Sequence, residues 1–319
     1  MLSHIAQSTS RRGGARFRCG FFNIYLGLAG AAHRAAVIRH IDRYAPDIMG
    51  LSEINSGDRT YLTDTLGPAV GLDNVVLGDD ASLQPALMTR FPVLDSGVLS
   101  SPEGANEFLR KPVWAMIDVG SSKNIVVYVC HTESFCYSAP CADVIRDELE
   151  FARAIEWQRL ANDIQSRLSA IPNLEFLVIG DMNDDPFSMQ SESFASQPSG
   201  VWSGFSLGGD ITFPVQYARY PEYQCEQAGL QLVKAKDIDG SRMTLWSSGE
   251  GGPNPAISIP YQIDYLCHSD GIGVFGHEVV SSEATQTGGM TKYGSPLPSG
   301  DSFVASDHKM VVGDFRIYN

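Results

Sequence analysis

The 319-residue sequence has few basic residues. It contains 23 Lys and Arg against 37 Asp and Glu, which gives a formal net charge of −14 at pH 7. This balance argues against a protein that coats nucleic acid with bulk positive charge, but it allows a nucleic-acid enzyme whose bound metal ions supply positive charge locally. A hydrophobic share of 43% with 19% charged residues excludes a mainly disordered chain.

The sequence also lacks closely spaced cysteines of the metal-binding or redox kind. None of its six cysteines forms a Cys-x-x-Cys pair, so neither a zinc site nor a thioredoxin-like motif is expected. Cys136 and Cys141 are the one close pair. They form either a small disulfide loop, which would indicate an oxidising compartment and secretion, or two free thiols in a surface loop.

No apolar run reaches the roughly 18 residues that a membrane-spanning helix needs. Basic residues precede the apolar stretch 19–32 and imitate a signal peptide, but Asn23 and Tyr25 interrupt that stretch. We therefore interpret residues 1–15 as a disordered leader and residues 16–319 as a single catalytic domain. The expected location is cytoplasmic.

Apolar residues follow strand and helix spacing in alternation along the chain, which indicates layered α/β packing. Long helices are predicted at 31–44 and at about 143–168, ended by Pro46 and Pro172, and a short helix at 221–229. The predicted strands are 17–24, 47–54, 74–77, 86–89, 93–98, 113–119, 124–130, 174–179, 243–246, 261–268 and 309–317. The predicted polar loops are 188–210, 247–258 and 281–302.

The strongest local motif lies at the end of the most apolar predicted strand. Asp181 and Asn183 follow it two positions apart, so both side chains can face one site. A carboxylate there can bind a hard cation or polarise a water, and an amide beside it can bond a phosphate oxygen without adding repulsion. The alternative is an Asx-rich turn that caps the strand.

Other predicted strands also begin, end or are interrupted at a polar residue. Because ligands gather at strand ends in α/β sheets, we expect these residues to form one site. Each residue alone also fits a plainer role, as an acid bonded to backbone amides at a sheet rim or as a solvated loop end. The residues are Asn23, Glu53, His131, Asp264, Asp307 and His308.

The ordered set of motifs resembles the endonuclease/exonuclease/phosphatase superfamily, the fold of pancreatic deoxyribonuclease, over nearly the whole chain. The resemblance implies a four-layer α/β sandwich, in which helices flank two packed mixed β-sheets. The matching segments are Phe22-Asn23-Ile24, Pro46 to Glu53, His131, Gly180-Asp181-Met182-Asn183, Ile263-Asp264-Tyr265 and Ser306-Asp307-His308, with Thr89-Arg90-Phe91-Pro92 as a minor one.

The resemblance also implies a Mg²⁺-dependent phosphoesterase that uses an activated water, with Mn²⁺ as a substitute. Glu53 would be the first metal ligand, with Asn23 beside it and Asp307 as a second acid. Arg90 would contact the substrate. Tyr25 stands where some nucleases of the superfamily carry an acid, so the number of metal ions, one or two, stays open.

The remaining residues are assigned to the water and the phosphate. Asp181 would orient or deprotonate the attacking water, and Asn183 would hold a phosphate oxygen. His308, oriented by Asp264, would act as an acid–base or as a cationic clamp on the phosphoryl group, and His131 would contact the phosphate from the other side. These five are the predicted catalytic residues.

Three functions follow from this set. The first is a nuclease that cleaves DNA or RNA phosphodiesters. The second is a phosphatase or phosphodiesterase acting on a small-molecule or lipid headgroup phosphate, of the inositol phosphate or sphingomyelin type, which the acidic composition favours. The third is a catalytically dead binding module, which disagrees with the presence of Glu53, Asp181, Asp307 and His308.

Overall fold

The computed structural model describes residues 14–28, 30–79, 81–134, 143–183, 191–218, 221–234, 244, 262–280, 282 and 297–318. Several predictions lie outside these ranges. They concern the leader apart from Gly14 and Ala15, the Cys136 and Cys141 pair, the loop 247–258, most of the loop 281–302, and the strand 243–246 apart from Thr244.

The helical segments are two long helices and several short ones. Between the second and third strands, a 3₁₀ turn and a π turn join two short α-helices into one irregular stretch. The α-helices are α1 (Ala31–Tyr44), α2 (Arg59–Tyr61), α3 (Gly67–Val70), α4 (Asp143–Ala170), α5 (Pro221–Gln227) and α6 (Asp301–Ala305), with the 3₁₀ turn at Ser56–Asp58 and the π turn at Leu62–Leu66. Of the helices described, none is long and apolar enough to span a membrane.

The strands are β1 (Arg16–Asn23), β2 (Ile48–Ile54), β3 (Asn74–Leu77), β4 (Gln84–Thr89), β5 (Val93–Val98), β6 (Val113–Ile117), β7 (Ile125–His131), β8 (Glu175–Asp181), β9 (Ser191–Phe194), β10 (Val215–Ala218), β11 (Gln231–Leu232), β12 (Asp264–His268), β13 (Ile272–Val279) and β14 (Val311–Ile317). They form two six-stranded sheets and one hairpin. The strand orders are β13-β14-β1-β2-β4-β3, β11-β12-β8-β7-β6-β5 and β10-β9.

Each large sheet has one parallel strand pair at its centre. β1 pairs in parallel with β2, and β7 pairs in parallel with β8, while the other pairs of both sheets are antiparallel. A parallel pair needs a crossover connection, and the two long helices provide it, α1 between β1 and β2 and α4 between β7 and β8. The helix-rich segments of the sequence therefore determine which strand ends lie side by side.

Both large sheets are buried on two faces. Side chains such as Phe21 of β1 and Ile179 of β8 fill the space between the sheets. The opposite face of the first sheet packs against α1, and that of the second packs against α4. The predicted four-layer sandwich of two mixed sheets flanked by helices is therefore confirmed.

Glycine lets the two sheets approach closely at one point. A Cβ atom on Gly50 of β2 would lie 2.7 Å from Cδ1 of Ile179 on the other sheet, closer than side chains can pack. The close approach matters for the site, because Gly50 is three positions before Glu53 and Ile179 is two before Asp181.

The predicted helix 31–44 matches α1, and the predicted strands 113–119 and 124–130 are present as β6 and β7, which pair with each other in antiparallel orientation. The predicted loop 188–210 was wrong in part, because it contains β9, which pairs with β10. The prediction also missed β13. Its segment is interrupted by Gly273 and Gly276 and has only partly buried alternation, so its apolar pattern is weak.

Candidate active site

Apart from Arg90, the predicted site residues meet at one edge of the two sheets. The first parallel pair ends at Asn23 and near Glu53, and the second ends at His131 and Asp181. The carboxyl ends of parallel strands lie at the same edge of a sheet, and an antiparallel neighbour begins at that edge. Asp264 accordingly begins β12 beside Asp181.

Asp181 occupies the centre of this group. It lies opposite His131 across the β7–β8 pair and opposite Asp264 across the β8–β12 pair. Its Oδ2 accepts a hydrogen bond from Asn23 Nδ2 at 3.0 Å, and its Oδ1 accepts one from the backbone N–H of Asn183 at 3.0 Å. Burial, reinforced by the charge of Asp264, raises the pKa of Asp181 to about 7.

His308 is held on the other side of Asp181. Its Nδ1 lies 2.9 Å from Oδ2 of Asp264, and its Nε2 lies 3.8 Å from Oδ2 of Asp181. Burial alone would lower the pKa of His308, but the carboxylates of Asp264, Asp307 and Asp181 outweigh it and keep the pKa well above its usual value. A raised pKa favours the imidazolium, which carries a proton on each ring nitrogen, one of them bonded to Asp264.

His131 is neutral, in contrast to the cationic His308. Its Nε2 lies 3.7 Å from Oδ2 of Asp181. Burial, followed by the positive charges of Arg110 and His308, keeps the pKa of His131 well below its usual value. A neutral and a cationic histidine therefore flank the same carboxylate. Each can donate a hydrogen bond to a phosphate oxygen, but only the cationic His308 carries a proton that it can give up.

The backbone of Glu53 itself is strained. It has a φ of 64°, and the pairing of β2 with β4 is irregular between Leu51 and Ile54. One carboxylate oxygen accepts from Asn23 Nδ2 at 3.0 Å and the other from the backbone N–H of Leu26 at 2.6 Å. A non-glycine residue in this conformation costs free energy, and such strain is common where a side chain must point into a functional site.

The oxygen atoms around Glu53 fit a hard cation. Asp307 is largely buried; burial raises its pKa to about 6 against the lowering effect of His308, and the charge of Glu53 adds to the rise. Two carboxylates that repel each other gain from a cation between them, and carboxylate oxygens are preferred ligands of Mg²⁺. Asn23 Oδ1 accepts one bond from Tyr25 N–H, which leaves its second lone pair for the same cation.

A second group of ligand atoms also lies close together. Among the described residues, Asp181, Asp264 and His308 each offer an atom within 4.8 Å of the others. His308 and Asp264 are already bonded to each other, and an imidazole must lose its proton before it can bind a metal. The charge pattern therefore favours the Glu53 and Asp307 side for the cation.

Two hydroxyl groups that the sequence-based analysis did not assign hold the site together. Ser306 Oγ donates to the carbonyl of Asn23 at 2.5 Å and accepts from the backbone N–H of His308 at 3.0 Å. Thr244 Oγ1 accepts from the N–H groups of Ile263 and Asp264 at 3.0 and 3.2 Å. Ser306 belonged to a motif that had been noticed, but nothing in the sequence indicates its two partners.

Gly180 and Asn183 shape the turn after β8. A Cβ atom on Gly180 would lie 2.3 Å from the carbonyl oxygen of Cys130 on the neighbouring strand, so only glycine fits before Asp181. Asn183 has a φ of 47°, a conformation that asparagine tolerates better than most residues, and its Nδ2 donates to the carbonyl of Thr132 at 3.1 Å. Both residues are thus required by local geometry.

Arg90 does not join this group. Its guanidinium lies 2.7 Å from Oδ1 of Asp47, and its side chain is half exposed. Asp47 immediately precedes β2, whereas Glu53 lies near the end of that strand, so Arg90 is at the opposite edge of the sheet. Arg90 therefore lies apart from the other predicted site residues and pairs with Asp47, and its contact with a substrate stays a prediction.

The carboxylates, amides and histidines at this edge suit the metal-dependent hydrolysis of phosphate esters, and the class of protein follows from its sequence. A sequence model of the Endonuclease/Exonuclease/phosphatase family matches residues 20–308. The chain belongs to the Endonuclease/Exonuclease/phosphatase family. No curated protein matches its sequence.

Three solved structures illustrate the similarity of the fold. A family protein from Bacteroides thetaiotaomicron has a TM-score of 0.60 at 12% identity and covers 96% of this chain and 97% of its own. D. rerio TDP2 complexed with single strand DNA product has a TM-score of 0.55 at 14% identity, covering 94% and 99%. A family protein from Beutenbergia cavernae has a TM-score of 0.54 at 18% identity, covering 95% and 72%. At these identities the likeness establishes the fold.

Proposed function

We propose that the protein is a Mg²⁺-dependent nuclease that hydrolyses phosphodiester bonds of DNA or RNA with an activated water. The observation that carries this proposal is the position of Asp181, a buried carboxylate that accepts hydrogen bonds from two asparagines and lies between two histidines. This combination offers an acceptor for the attacking water and hydrogen-bond donors for the phosphate oxygens, which suits the hydrolysis of a phosphodiester.

The proposed roles follow from the atoms that each residue presents. Asp181 orients or deprotonates the water, because it lies between His131 and His308 and its raised pKa suits a group that accepts a proton. His308, fixed by Asp264, donates from Nε2 to the phosphoryl oxygens or to the leaving oxygen. His131 and Asn183 contact the phosphate from the side of β7. These groups are held before substrate arrives, so little reorganisation is needed.

Glu53 and Asp307, with Asn23 beside them, would hold the cation. When bound, Mg²⁺ would bind a phosphate oxygen and stabilise the negative charge that develops there. Mn²⁺ has similar ligand preferences and is the expected substitute. Asn23 joins the two halves of the site, since its amide nitrogen bonds both Glu53 and Asp181.

Support for a nucleic-acid substrate comes from outside the site. One similar structure, D. rerio TDP2, holds a single strand DNA product. The second candidate, hydrolysis of a small-molecule or lipid headgroup phosphate, is favoured by the net charge of −14, which repels a polyanion over long distances. The two candidates share every proposed catalytic role and differ in the size of the substrate.

A plasmid-nicking assay separates these candidates. Supercoiled plasmid would be incubated with wild-type protein and Mg²⁺, with excess chelator, and with the variants Asp181→Ala and His308→Ala. We expect nicking only by the wild type with metal, and at least about 100-fold slower turnover in either variant. Intact plasmid with metal-dependent hydrolysis of bis(p-nitrophenyl) phosphate would favour the small substrate. Full activity in either variant would refute the site assignment.

A further inference from the structure

The backbone immediately after β7 is held by two buried polar side chains of α4. Glu156 Oε2 accepts a hydrogen bond from the backbone N–H of Glu133 at 2.9 Å. Arg153 Nη1 donates to the carbonyls of Glu133 and Ser134 at 3.2 and 3.0 Å. The exposed fraction of Arg153 is 1% and that of Glu156 is 3%. The two helix residues therefore bind segment 132–134 by both its donor and its acceptor groups.

Segment 132–134 is in turn bonded to the active site. The carbonyl of Thr132 accepts from Nδ2 of Asn183, and its N–H donates to the carbonyl of Asp181 at 3.0 Å. Its hydroxyl donates to the carbonyl of Met182 at 2.6 Å. Every residue of the turn 181–183 thus has a hydrogen bond to Thr132, which follows His131 directly. A displacement of this segment would displace both predicted phosphate contacts, His131 and Asn183.

Glu156 also lies directly behind the histidine. Glu156 and His131 line the same small cavity of about 10 Å³, together with Arg110 and Thr132. Arg110 closes the cluster from the other side by donating to the carbonyls of His131 and Thr132 at 3.2 and 2.8 Å. Arg110 and Glu156 therefore contact the end of β7 from two sides.

Apolar side chains at positions 153 and 156 would pack α4 against the sheet at a lower cost in free energy. Burying a polar or ionisable group costs free energy unless its hydrogen bonds are satisfied, and in some proteins such groups fix one particular geometry. On Glu156, only Oε2 has a hydrogen-bond partner among the described residues. That one bond goes to the backbone that leads into the site.

The charge state of Glu156 is set by its neighbours. Burial, followed by the charge of Glu133, raises its pKa to about 8, against the lowering effects of the bond from Glu133 N–H and of Arg110 and Arg153. Cys130 of β7 is the other titratable group in electrostatic contact with it. At neutral pH the side chain is mostly a neutral acid, which a glutamine can imitate in shape and in charge.

We propose that Glu156 and Arg153 are positioning residues for the phosphoester reaction, which hold segment 132–134 so that His131 and Asn183 stand where the phosphate binds. This inference rests on the proposed function. It extends that function to two side chains that touch neither the substrate nor the metal ligands.

The test compares two substitutions of one side chain. Glu156→Ala removes the acceptor for Glu133 N–H, whereas Glu156→Gln keeps a neutral acceptor of the same shape. With bis(p-nitrophenyl) phosphate and Mg²⁺, we expect Glu156→Ala to lower kcat at least about tenfold with KM within about twofold. Glu156→Gln should keep kcat within about twofold of the wild type. Full kcat in Glu156→Ala, or equal losses in both variants, would overturn the proposal.

Asp163 provides the matched control on the same helix. It lies two turns further along α4 and bonds the side chains of Tyr128 and Arg167, away from segment 132–134. Asp163→Asn should lower the melting temperature and leave kcat unchanged. If Glu156→Ala does not fold, Arg153→Lys replaces it, because lysine cannot bond both carbonyls and Tyr217 as the guanidinium does.

Amide hydrogen exchange separates a failure of this proposal from a failure of the proposed function. If the wild type hydrolyses no phosphoester, the proposed function is wrong, and exchange at Glu133 decides the positioning role. The Glu133 amide should exchange at least about tenfold faster in Glu156→Ala than in the wild type, and at the wild-type rate in Glu156→Gln. Unchanged exchange in Glu156→Ala would refute the hold on segment 132–134.

Discussion

Asp264 and His308 lie 44 positions apart, yet Oδ2 of Asp264 is 2.9 Å from Nδ1 of His308. The bond is completely enclosed, since Asp264 is fully buried and His308 is 3% exposed. It fixes which ring nitrogen faces the site, because Nδ1 is occupied and Nε2 is left near Asp181. Two strands that neighbour the parallel pairs, β12 and β14, bring these residues together.

The first prediction concerns this bond. Asp264→Asn should lower kcat by at least about 100-fold, because a neutral amide neither fixes the imidazolium nor stabilises its charge. The measurement is steady-state kinetics on bis(p-nitrophenyl) phosphate, with circular dichroism to show that the fold is intact. Asp270→Asn is the control, since Asp270 is exposed beyond the opposite end of β12 and bonds Gln231. Comparable losses in both variants would contradict the role assigned to Asp264.

The second prediction concerns the cation. Mg²⁺ should raise the melting temperature of the wild type, because it relieves the repulsion between Glu53 and Asp307 and binds the folded state only. At ten times the dissociation constant the gain is about 1.4 kcal/mol. Glu53→Gln and Asp307→Asn should each lose most of this shift, measured by differential scanning fluorimetry with Mg²⁺, with Mn²⁺ and with chelator. An equal shift in the wild type and in both variants would place the cation elsewhere.

Much of the scaffold could be predicted because its signals are local. The apolar runs of β7 and β8 and the helical spacing of α1 are properties of short segments, and buried strands and amphipathic helices are read from such segments. The strand-end positions of Asn23, Glu53, His131 and Asp181 follow from the same pattern. Their convergence could be expected because parallel strands end at a common edge.

The features that could not be predicted depend on contacts between residues far apart in the sequence. Ser306 bonds the carbonyl of Asn23, 283 positions away in the sequence. Glu156 lies on a helix whose apolar spacing predicts apolar buried residues. The burial of its carboxyl, and of that of Glu133, could therefore not be predicted from the sequence. Arg90 was assigned from a short motif, and the motif did not reveal that the residue pairs with Asp47 at the far edge of the sheet.

The third prediction concerns Ser306. Ser306→Ala should lower stability by about 1 kcal/mol, because the carbonyl of Asn23 and the N–H of His308 both lose a partner inside the protein. The turn that carries Asp307 and His308 would also loosen, so kcat should fall about tenfold. Urea unfolding and steady-state kinetics measure the two effects. Ser302→Ala is the control for the loss of a buried hydroxyl, since Ser302 bonds His40 and Ser282 away from the site.

The last prediction uses the buried carboxyl of Glu156. Its pKa is about 8 in the folded protein, against an ordinary value of 4.5 for an unfolded chain. Below pH 4.5 the group is protonated in both states and contributes no pH dependence. Between pH 4.5 and 8 the folded state binds more protons than the unfolded state, so stability falls as pH rises. Above pH 8 the group is ionised in both states and the loss is complete.

Glu156→Gln removes this loss, because glutamine does not titrate. The variant should unfold with nearly the same free energy as the wild type near pH 4 and should be more stable by at least about 1.4 kcal/mol at pH 8. Urea unfolding at several pH values measures the difference, in which the titration of all other groups largely cancels. Glu103→Gln, at an exposed carboxyl, controls for the substitution itself. A difference between Glu156→Gln and the wild type that does not grow with pH would mean that Glu156 is already ionised in the folded protein.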